Sequence, residues 1–177
     1  MSEKRQSLAT MADLVVDGAR VRVRPLGGDD EARTCAGIMA GSEPWITLGR
    51  GVEASLAILR DPSREVYVAA SASEVIGFLI LTMRGAFVGY IQTVALREDW
   101  RGRGLGSRLI AFAEERILRD APNVFMCVSS FNTRARALYE RLGYEVIGEL
   151  RDYIVRGHSE WLLRKSTGPI GEFAPPR

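Results

Sequence analysis

The chain has 177 residues and a mass of 19.5 kDa, enough for about one domain at roughly 100–200 residues per domain. Its 46% apolar and 26% charged residues are typical of a globular protein and exclude a mainly disordered chain. A net charge of +2 gives no electrostatic reason to expect nucleic acid or a membrane as a partner. The longest apolar stretch, residues 75–83, is about half of the roughly 18 residues of a membrane span. The N-terminus lacks a secretory signal, so we expect a cytoplasmic protein.

Apolar periodicity predicts one α/β domain, of the α+β type, over residues 14–165, with flexible tails at 1–13 and 166–177. Asp29 or Asp30 is expected to cap the first helix, which follows the first strand. The predicted elements of this half are a strand at 19–26, the first helix, a second helix at 51–59, and three antiparallel strands at 65–70, 75–83 and 87–96.

The second half contains the clearest helix of the sequence, at residues 105–118, where apolar residues repeat on one helical face. A short strand at 124–128, a helix that Asn132 caps and Gly143 ends, and a closing strand pair at 145–150 and 160–163 complete the domain. The pattern therefore predicts a mixed, mostly antiparallel sheet of six to seven strands, flanked by about four helices.

A glycine-rich segment stands between a predicted strand and the clearest helix. A strand, a Gly-rich turn and a helix start form an anion site, because backbone N–H groups are free there and the helix dipole adds about half a positive charge. Arg108 adds formal charge nearby. We therefore expect phosphate to bind at the segment, which consists of Arg101, Gly102, Arg103, Gly104, Leu105, Gly106 and Ser107.

Two common phosphate-binding motifs are absent from this segment. The third glycine of G-x-G-x-x-G would fall on Ser107 or Leu109, so a dinucleotide fingerprint is excluded. A P-loop requires Lys, and no Lys lies between residues 5 and 164. A loop that serves only as a tight turn is the alternative.

The sequence resembles the GNAT superfamily of acyl-CoA-dependent N-acyltransferases in two motifs. Residues 101–106, RGRGLG, match the family's pyrophosphate loop, (Q/R)-x-x-G-x-(G/A). Residues 132–148, NTRARALYERLGYEVIG, resemble the family's second motif, N-x-x-A-x-x-L-Y-x-x-x-G-(F/Y)-x-x-x-G. The resemblance covers roughly residues 20–165 and implies a GNAT-like fold with acetyl-CoA as co-substrate.

The resemblance also implies roles for individual residues. Backbone groups of Val94, Ala95 and Leu96 would contact the pantetheine arm, Asn132 would bind the pantetheine, and Tyr139 would reach the thioester sulfur. The residues support the last two roles, because seven helical steps of 100° return within about 20° of the start and place both side chains on one face. We interpret Tyr139 as the general acid that protonates the departing thiolate, with a core aromatic as the alternative.

Cys127 marks a departure from the family. A branch that acetylates ribosomal-protein N-termini resembles this chain but often has Glu at that position, twelve residues before Tyr139. We interpret Cys127 as a buried, inert thiol whose apolar surroundings raise its pKa. The proton acceptor is left open among Glu43, Tyr90, Gln92 and Glu149.

Trp45 and Ile46 are expected to wall the acceptor pocket, as that region does in the family, with packing over the core edge as the alternative for Trp45. His158 is predicted to lie in a turn beside Gly157, and with one His and two distant Cys we expect no metal site.

The sequence therefore predicts an acetyl-CoA-dependent N-acetyltransferase that transfers an acetyl group directly to a primary amine of a small molecule or a protein. A competing interpretation is an acyl-CoA-binding sensor without turnover, which the missing Glu at position 127 favours and Tyr139 opposes. A homodimer is one assembly that the sequence leaves open.

Overall fold

Eight strands form one mixed sheet in the computed structural model, which describes residues 11–175. The strands are β1 (Ala12–Val16), β2 (Ala19–Pro25), β3 (Glu65–Ser71), β4 (Glu74–Thr82), β5 (Tyr90–Leu96), β6 (Asn123–Ser129), β7 (Glu145–Leu150) and β8 (Glu160–Ser166). The helices are α1 (Asp29–Ala40), α2 (Val52–Leu59), α3 (Leu105–Ile117) and α4 (Thr133–Arg141). Short 3-10 turns cover Glu98–Trp100 and Ile170–Glu172.

The strand order across the sheet is β1-β2-β3-β4-β5-β6-β8-β7. Every neighbouring pair is antiparallel except β5 and β6, which run parallel because α3 connects them. The last strand, β8, lies between β6 and β7, so the closing strand pair joins the sheet through its second member.

Apolar side chains on the two faces of the sheet form two cores. Along β4, Leu79 and Leu81 face the core beneath α3, whereas Phe78 and Ile80 face the core beneath α1 and α2. This two-residue alternation buries both faces, which explains why β4 is apolar throughout its centre. The helices thereby hold β4 and β5 rigidly beside the site described below.

Most predicted elements are confirmed within a few residues, but the sheet has one strand more than the upper predicted count. The extra strand, β1, begins inside the predicted N-terminal tail. Asp17 and Gly18 join β1 to β2 with φ values of 48° and 79°. Two successive positive φ values are typical of a tight hairpin turn, for which Asp-Gly is a strong sequence signal. The flexible tails stay predictions, and residues 1–10 and 176–177 lie outside the described residues.

The predicted cap of α1 is wrong, whereas that of α4 is confirmed. The residue before α1 is Gly28, and no side chain caps this helix. Asp29 lies inside the first turn, where its carboxylate pairs with Arg33 and Arg60. In α4, Asn132 Oδ1 accepts a hydrogen bond from the Ala135 N–H at 3.2 Å.

The parallel pair β5 and β6 is joined over two residues only, Tyr90 with Phe125 and Ile91 with Met126. Directly after this contact the pairing of β5 with β4 shifts, so that Ile80 lies opposite Thr93 and Leu81 opposite Ile91. Gln92 is therefore the extra residue of a β-bulge, and bulges bend the strand that carries them. Beyond the bulge, β5 and β6 diverge and leave an opening in the sheet.

Gly89→Ala is expected to lower the free energy of unfolding by about 3 kcal/mol. Gly89 has φ +86° just before β5, and a Cβ there would lie 2.5 Å from the Asn123 carbonyl oxygen. Strain at positive φ contributes about 1 kcal/mol and the backbone clash the remainder. Gly85→Ala is the control, because Gly85 has φ +91° with no atom within 4 Å. Denaturant unfolding should show a loss of about 1 kcal/mol for the control, and equal losses would contradict a close contact at Gly89.

Candidate acetyl-CoA and acceptor site

A cavity of about 690 Å³ lies where β5 and β6 diverge. This volume is in the range of about 300–1,000 Å³ that is usual for ligand pockets. Its lining comes from the α1–α2 loop, β5, β6, α4, the β7–β8 loop and the start of β8. Among the lining residues are Glu43, Trp45, Arg50, Tyr90, Val94, Cys127, Ser129, Asn132, Tyr139, Tyr153 and Glu160.

The three β5 residues assigned to the pantetheine arm differ in their surroundings. Val94, Ala95 and Leu96 pair with β4 on one side and with no residue of β6 on the other. Val94 lines the cavity, whereas the Ala95 side chain is buried in the core beneath α1 and α2. The Leu96 carbonyl accepts a hydrogen bond from Arg101 Nε at 3.1 Å. The free backbone edge of β5 toward the cavity is therefore at Val94 and Ala95.

The glycine-rich segment turns sharply into α3. Gly102 and Gly104 have φ values of 76° and 79°, a left-handed conformation that side chains other than glycine rarely adopt. The first hydrogen bond of the helix runs from the Arg108 N–H to the Gly104 carbonyl at 3.3 Å. The N–H groups of Leu105, Gly106 and Ser107 precede this bond and have no acceptor in the described chain. These amides at the positive end of the helix dipole are the donors that a pyrophosphate needs.

The arginines of this segment have separate roles. Arg101 donates to Leu96 O and, at 2.6 Å, to Ser42 Oγ, so it fixes the segment to β5 and to the end of α1. Arg103 lies over the Trp100 ring at 5.3 Å and is half exposed. Arg108 is exposed on the first turn of α3. Arg101 thus positions the backbone, Arg103 is within 3.9 Å of Asp17 Oδ2, and Arg108 adds an exposed cationic charge.

A further cation beside the segment, Arg134, was not predicted from the sequence. Its Nη2 lies 3.9 Å from the position that a Cβ would take at Gly102. Arg134 belongs to the first turn of α4, and its long side chain reaches the segment from there. No local sequence pattern indicates such a contact between elements.

The two α4 residues predicted to share a helix face, Asn132 and Tyr139, both line the cavity. Asn132 Oδ1 is used as the helix cap, which leaves the amide nitrogen for a ligand. The Tyr139 ring contacts the Tyr144 ring edge-on at 6.3 Å. Burial raises the pKa of Tyr139, so its hydroxyl carries a proton at neutral pH.

Trp45 lines the cavity and is also packed in the core, so its two predicted roles coexist. Ile46 is 56% exposed and does not line the cavity, because the loop turns its side chain outward. His158 lies in the β7–β8 loop as predicted, against the Phe131 ring at 5.1 Å.

Three of the four candidate proton acceptors, Glu43, Tyr90 and Gln92, line the cavity. Gln92 Oε1 accepts a hydrogen bond from Arg64. Glu149 does not line the cavity, because it lies on β7 at the edge of the sheet and pairs with Arg151 at 3.2 Å.

A carboxylate that sequence analysis did not single out, Glu160, lies in the cavity wall. It is 3% exposed, and Oε1 accepts a hydrogen bond from Ser129 Oγ at 2.6 Å. Burial raises the pKa of Glu160, partly offset by the hydrogen bond from Ser129 and the charges of His158 and Arg50. The two bonded residues are 31 positions apart, and only the antiparallel register of β6 with β8 places them opposite each other.

Cys127 is half-buried and lines the cavity, rather than being enclosed in the core as expected. Residues 123, 125 and 127 are partly exposed and alternate with the buried residues 124, 126 and 128 of β6, which explains the partial exposure of Cys127. Burial raises the pKa of the Cys127 thiol, as predicted, while a hydrogen bond with Tyr90 acts in the opposite direction. The thiol is therefore protonated at neutral pH and is not activated as a nucleophile.

Within residues 11–175, no group of three or more His, Cys, Asp and Glu side chains is arranged to hold a metal ion. The helices of the same region are also too short or too polar to cross a bilayer.

The sheet opens between β5 and β6, α3 begins with free amides, and the half-buried Tyr139 lines the opening, an arrangement that fits an acyltransferase using a phosphate-bearing acyl donor. The Acetyltransferase (GNAT) family model matches residues 33–144, and the chain belongs to this family. The resemblance of the two motifs is thereby confirmed.

Individual relatives share only limited sequence identity with the chain. The chain is 36% identical to blasticidin-S acetyltransferase of Streptomyces morookaense over 78 residues, which are 40% of this chain and 57% of that protein. It is 27% identical to N-alpha-acetyltransferase RimI of Mycobacterium tuberculosis over 149 residues, covering 78% and 88% of the two chains. The chain thus spans little more than half of the first of these relatives.

The fold also matches a solved structure of aminoglycoside 6'-N-acetyltransferase complexed with coenzyme A. The TM-score is 0.67 at 14% identity, over 83% of this chain and 97% of the other. At this identity the match shows the fold alone.

Proposed function

We propose that the protein is an acetyl-CoA-dependent N-acetyltransferase that transfers an acetyl group directly to a primary amine. The observation that carries this proposal is the opening between β5 and β6, which Val94 and Tyr139 line, together with the free amides at the start of α3, which follows β5 along the chain. Membership of the family supports it, as do the names of relatives that act on blasticidin S or at an N-alpha position.

The residues of the site fit acetyl-CoA. The amides at the start of α3 would hold the pyrophosphate, with Arg103, Arg108 and Arg134 as nearby cations. Backbone groups of Val94 and Ala95 and the side chain of Asn132 would hold the pantetheine arm. The space next to Gly104 is open, since no atom lies within 4 Å of a Cβ built there.

The proposed reaction joins the amine nitrogen to the thioester carbonyl carbon and breaks the C–S bond. Acetyl-CoA supplies the acetyl group as a thioester. Tyr139 gives its proton to the departing sulfur. It regains a proton from the nitrogen, which is positively charged after the N–C bond forms. Backbone N–H groups of β5 near Val94 would stabilise the negative carbonyl oxygen. The amine must be uncharged to attack, so the cavity must also remove a proton from an ammonium of pKa near 10.

A sensor without turnover is the second candidate, and Cys127 is the observation that favours it. The raised pKa keeps the Cys127 thiol protonated at neutral pH, and a protonated thiol cannot take a proton from an ammonium group. The two candidates share the acetyl-CoA site and differ only in turnover. The cytoplasmic location and the homodimer stay predictions from the sequence.

Acetyl-CoA is expected to raise the melting temperature by about 5–10 °C at a hundredfold excess over Kd. A ligand that binds only the folded protein adds about 2.7 kcal/mol under these conditions. Pantetheine, which lacks the pyrophosphate, should raise the melting temperature much less. Equal shifts would contradict a pyrophosphate site at residues 101–107.

Release of free CoA with a panel of primary amines then separates the two candidates. The proposed enzyme releases CoA at a rate that depends on the amine, and the acetylated amine is found by mass spectrometry. Tight binding of acetyl-CoA without release for any amine would favour the sensor.

A further inference from the structure

The acceptor side of the cavity contains a carboxylate with an unused oxygen. Glu160 is 3% exposed and lines the cavity, and Ser129 occupies only its Oε1. Its second oxygen, Oε2, has no hydrogen bond within the part of the chain that the structure describes. A buried carboxylate with a free oxygen favours a positively charged or hydrogen-bonding guest.

A guanidinium that lines the same cavity is also unused. Arg50 lies in the α1–α2 loop, lines the cavity and is half-buried. Its side chain makes no hydrogen bond or ion pair with any residue in the range 11–175. A half-buried guanidinium without a partner is suited to bind a carboxylate in a forked, two-bond geometry.

Arg50 and Glu160 line the same cavity and do not form an ion pair. Their charged atoms are more than 4.0 Å apart, yet the charge of Arg50 is close enough to lower the pKa of Glu160, against the larger effect of burial. The gap between them is therefore open to a ligand that contacts both.

The other charged groups of the cavity already have partners or face solvent. Arg64 pairs with Asp61 at 3.0 Å and donates to Gln92. Glu43 is exposed and accepts a hydrogen bond from the Thr47 N–H at 3.3 Å. Glu160 and Arg50 are thus the opposite charges of the cavity that are both shielded from solvent and open to a ligand.

Apolar side chains form the remaining wall on this side. Trp45 and Leu48 are 9% and 8% exposed, and Ile154 completes the surface. An apolar group of the acceptor would be removed from water here.

From this arrangement we propose that the acceptor is an α-amino acid with an apolar side chain, bound through its carboxylate by Arg50 and through its ammonium group by Glu160. This inference rests on the acetyltransferase function proposed above. Glu160 takes one proton from the ammonium group, and the resulting free amine forms the N–C bond with the acetyl carbonyl carbon. The C–S bond breaks, the sulfur receives its proton from Tyr139, and Glu160 returns its proton to solvent. The carboxylate missing at position 127 is in this way supplied from β8.

The first test uses three matched acceptors: leucine, leucinamide and 3-methylbutylamine. They share the side chain and differ only in the group offered to Arg50. We expect kcat/KM for leucine to exceed that for either other amine at least tenfold. The amine of leucinamide is the less basic and more of it is uncharged, so intrinsic reactivity would give the opposite order. Equal or better use of the amide would overturn the proposal.

Arg50→Gln is expected to raise KM for leucine at least tenfold while leaving KM for leucinamide and for acetyl-CoA within twofold. Arg60→Gln is the control, because Arg60 is a surface residue that pairs with Asp29 outside the cavity. An equal increase in KM for leucine and for leucinamide in Arg50→Gln would show that Arg50 does not bind the carboxylate.

The second test follows Glu160 through the pH dependence. The unprotonated carboxylate is the active form, so kcat/KM should fall as pH decreases through the pKa of Glu160, which burial places above the usual carboxyl range. Glu160→Gln should lower kcat/KM at least a hundredfold at neutral pH and remove this acidic limb, while acetyl-CoA still raises the melting temperature.

Polar and charged groups from several elements interact with Glu160. They are Ser129 and Cys127 of β6, Tyr90 of β5, Arg50 of the α1–α2 loop and His158 of the β7–β8 loop. His158→Gln is therefore measured in parallel. A limb that survives in Glu160→Gln and disappears in His158→Gln would overturn the assignment to Glu160.

Failure of this inference is distinguishable from failure of the proposed function. If 3-methylbutylamine or other amines without a carboxylate are acetylated best, the protein is an acetyltransferase with a different acceptor. If no amine of any class releases CoA, both the function and the inference are wrong.

Discussion

Tyr139→Phe is expected to lower kcat about 10²–10⁴-fold with the best acceptor while leaving KM for acetyl-CoA nearly unchanged. The substitution removes one hydroxyl and keeps the ring that contacts Tyr144. A proton delivered to the departing sulfur stabilises mainly the transition state, so its loss appears in kcat rather than in binding. The magnitude is that of a typical general acid.

Burial determines whether Tyr139 can act as this acid. In water a phenol of pKa near 10 would donate uphill to a thiolate of pKa near 8.5, by about 1.5 units or roughly 2 kcal/mol. The surroundings that raise the pKa of Tyr139 also disfavour a thiolate anion beside it, and the thiolate is more basic there than in water. Burial thus raises both pKa values, so the cost of the transfer stays near the roughly 2 kcal/mol of the reference values, which is small beside the barrier of an enzymatic step.

Tyr144→Phe is the matched control for Tyr139→Phe. Tyr144 is 3% exposed, packs against Tyr139 and does not line the cavity. Steady-state kinetics of both variants, with circular dichroism to verify the fold, should show a large fall in kcat for Tyr139→Phe alone. A fall below threefold for Tyr139→Phe would leave Tyr139 as a core aromatic.

Local patterns predict the half of the site that we propose to bind acetyl-CoA. The glycines at 102 and 104 and the helix after them occupy consecutive residues, so the turn, the free amides and the dipole follow from one short segment. Asn132 and Tyr139 are likewise fixed by a single helix and its cap. The predicted cap of α1 failed because the Asp29 carboxylate pairs with Arg60, the residue after α2, and no local pattern indicates such a contact between elements.

The acceptor half depends on contacts between distant elements, and sequence analysis therefore missed most of it. Ser129 meets Glu160 through the pairing of β6 with β8, and a one-residue slip of that register would turn Glu160 to the other face. Arg50 faces the same cavity from a loop about a hundred residues earlier in the chain. The hairpin of β1 and β2 is a different case, because the Asp17-Gly18 signal was present in the sequence.

Gly104→Val is expected to weaken acetyl-CoA binding at least tenfold, or about 1.4 kcal/mol, while lowering the free energy of unfolding by only about 1–2 kcal/mol. Gly104 has φ +79° with no atom within 4 Å of a Cβ position, so the new side chain meets no neighbour in the free protein. The cost to the free protein is therefore backbone strain at positive φ. The open space is where a phosphate must approach the amides of Leu105 and Gly106, and a branched side chain there competes with it directly.

Gly85→Val separates these two effects. Gly85 has φ +91° and equally open surroundings, in the β4–β5 loop at the end of β4 opposite the glycine-rich segment. Both variants should lose similar stability in denaturant unfolding, because both place a branched residue at positive φ. Calorimetric titration with acetyl-CoA should show weaker binding for Gly104→Val only. Unchanged affinity in Gly104→Val would mean that the segment is a tight turn without a role in binding, and the site for the pyrophosphate would have to be sought elsewhere on the cavity.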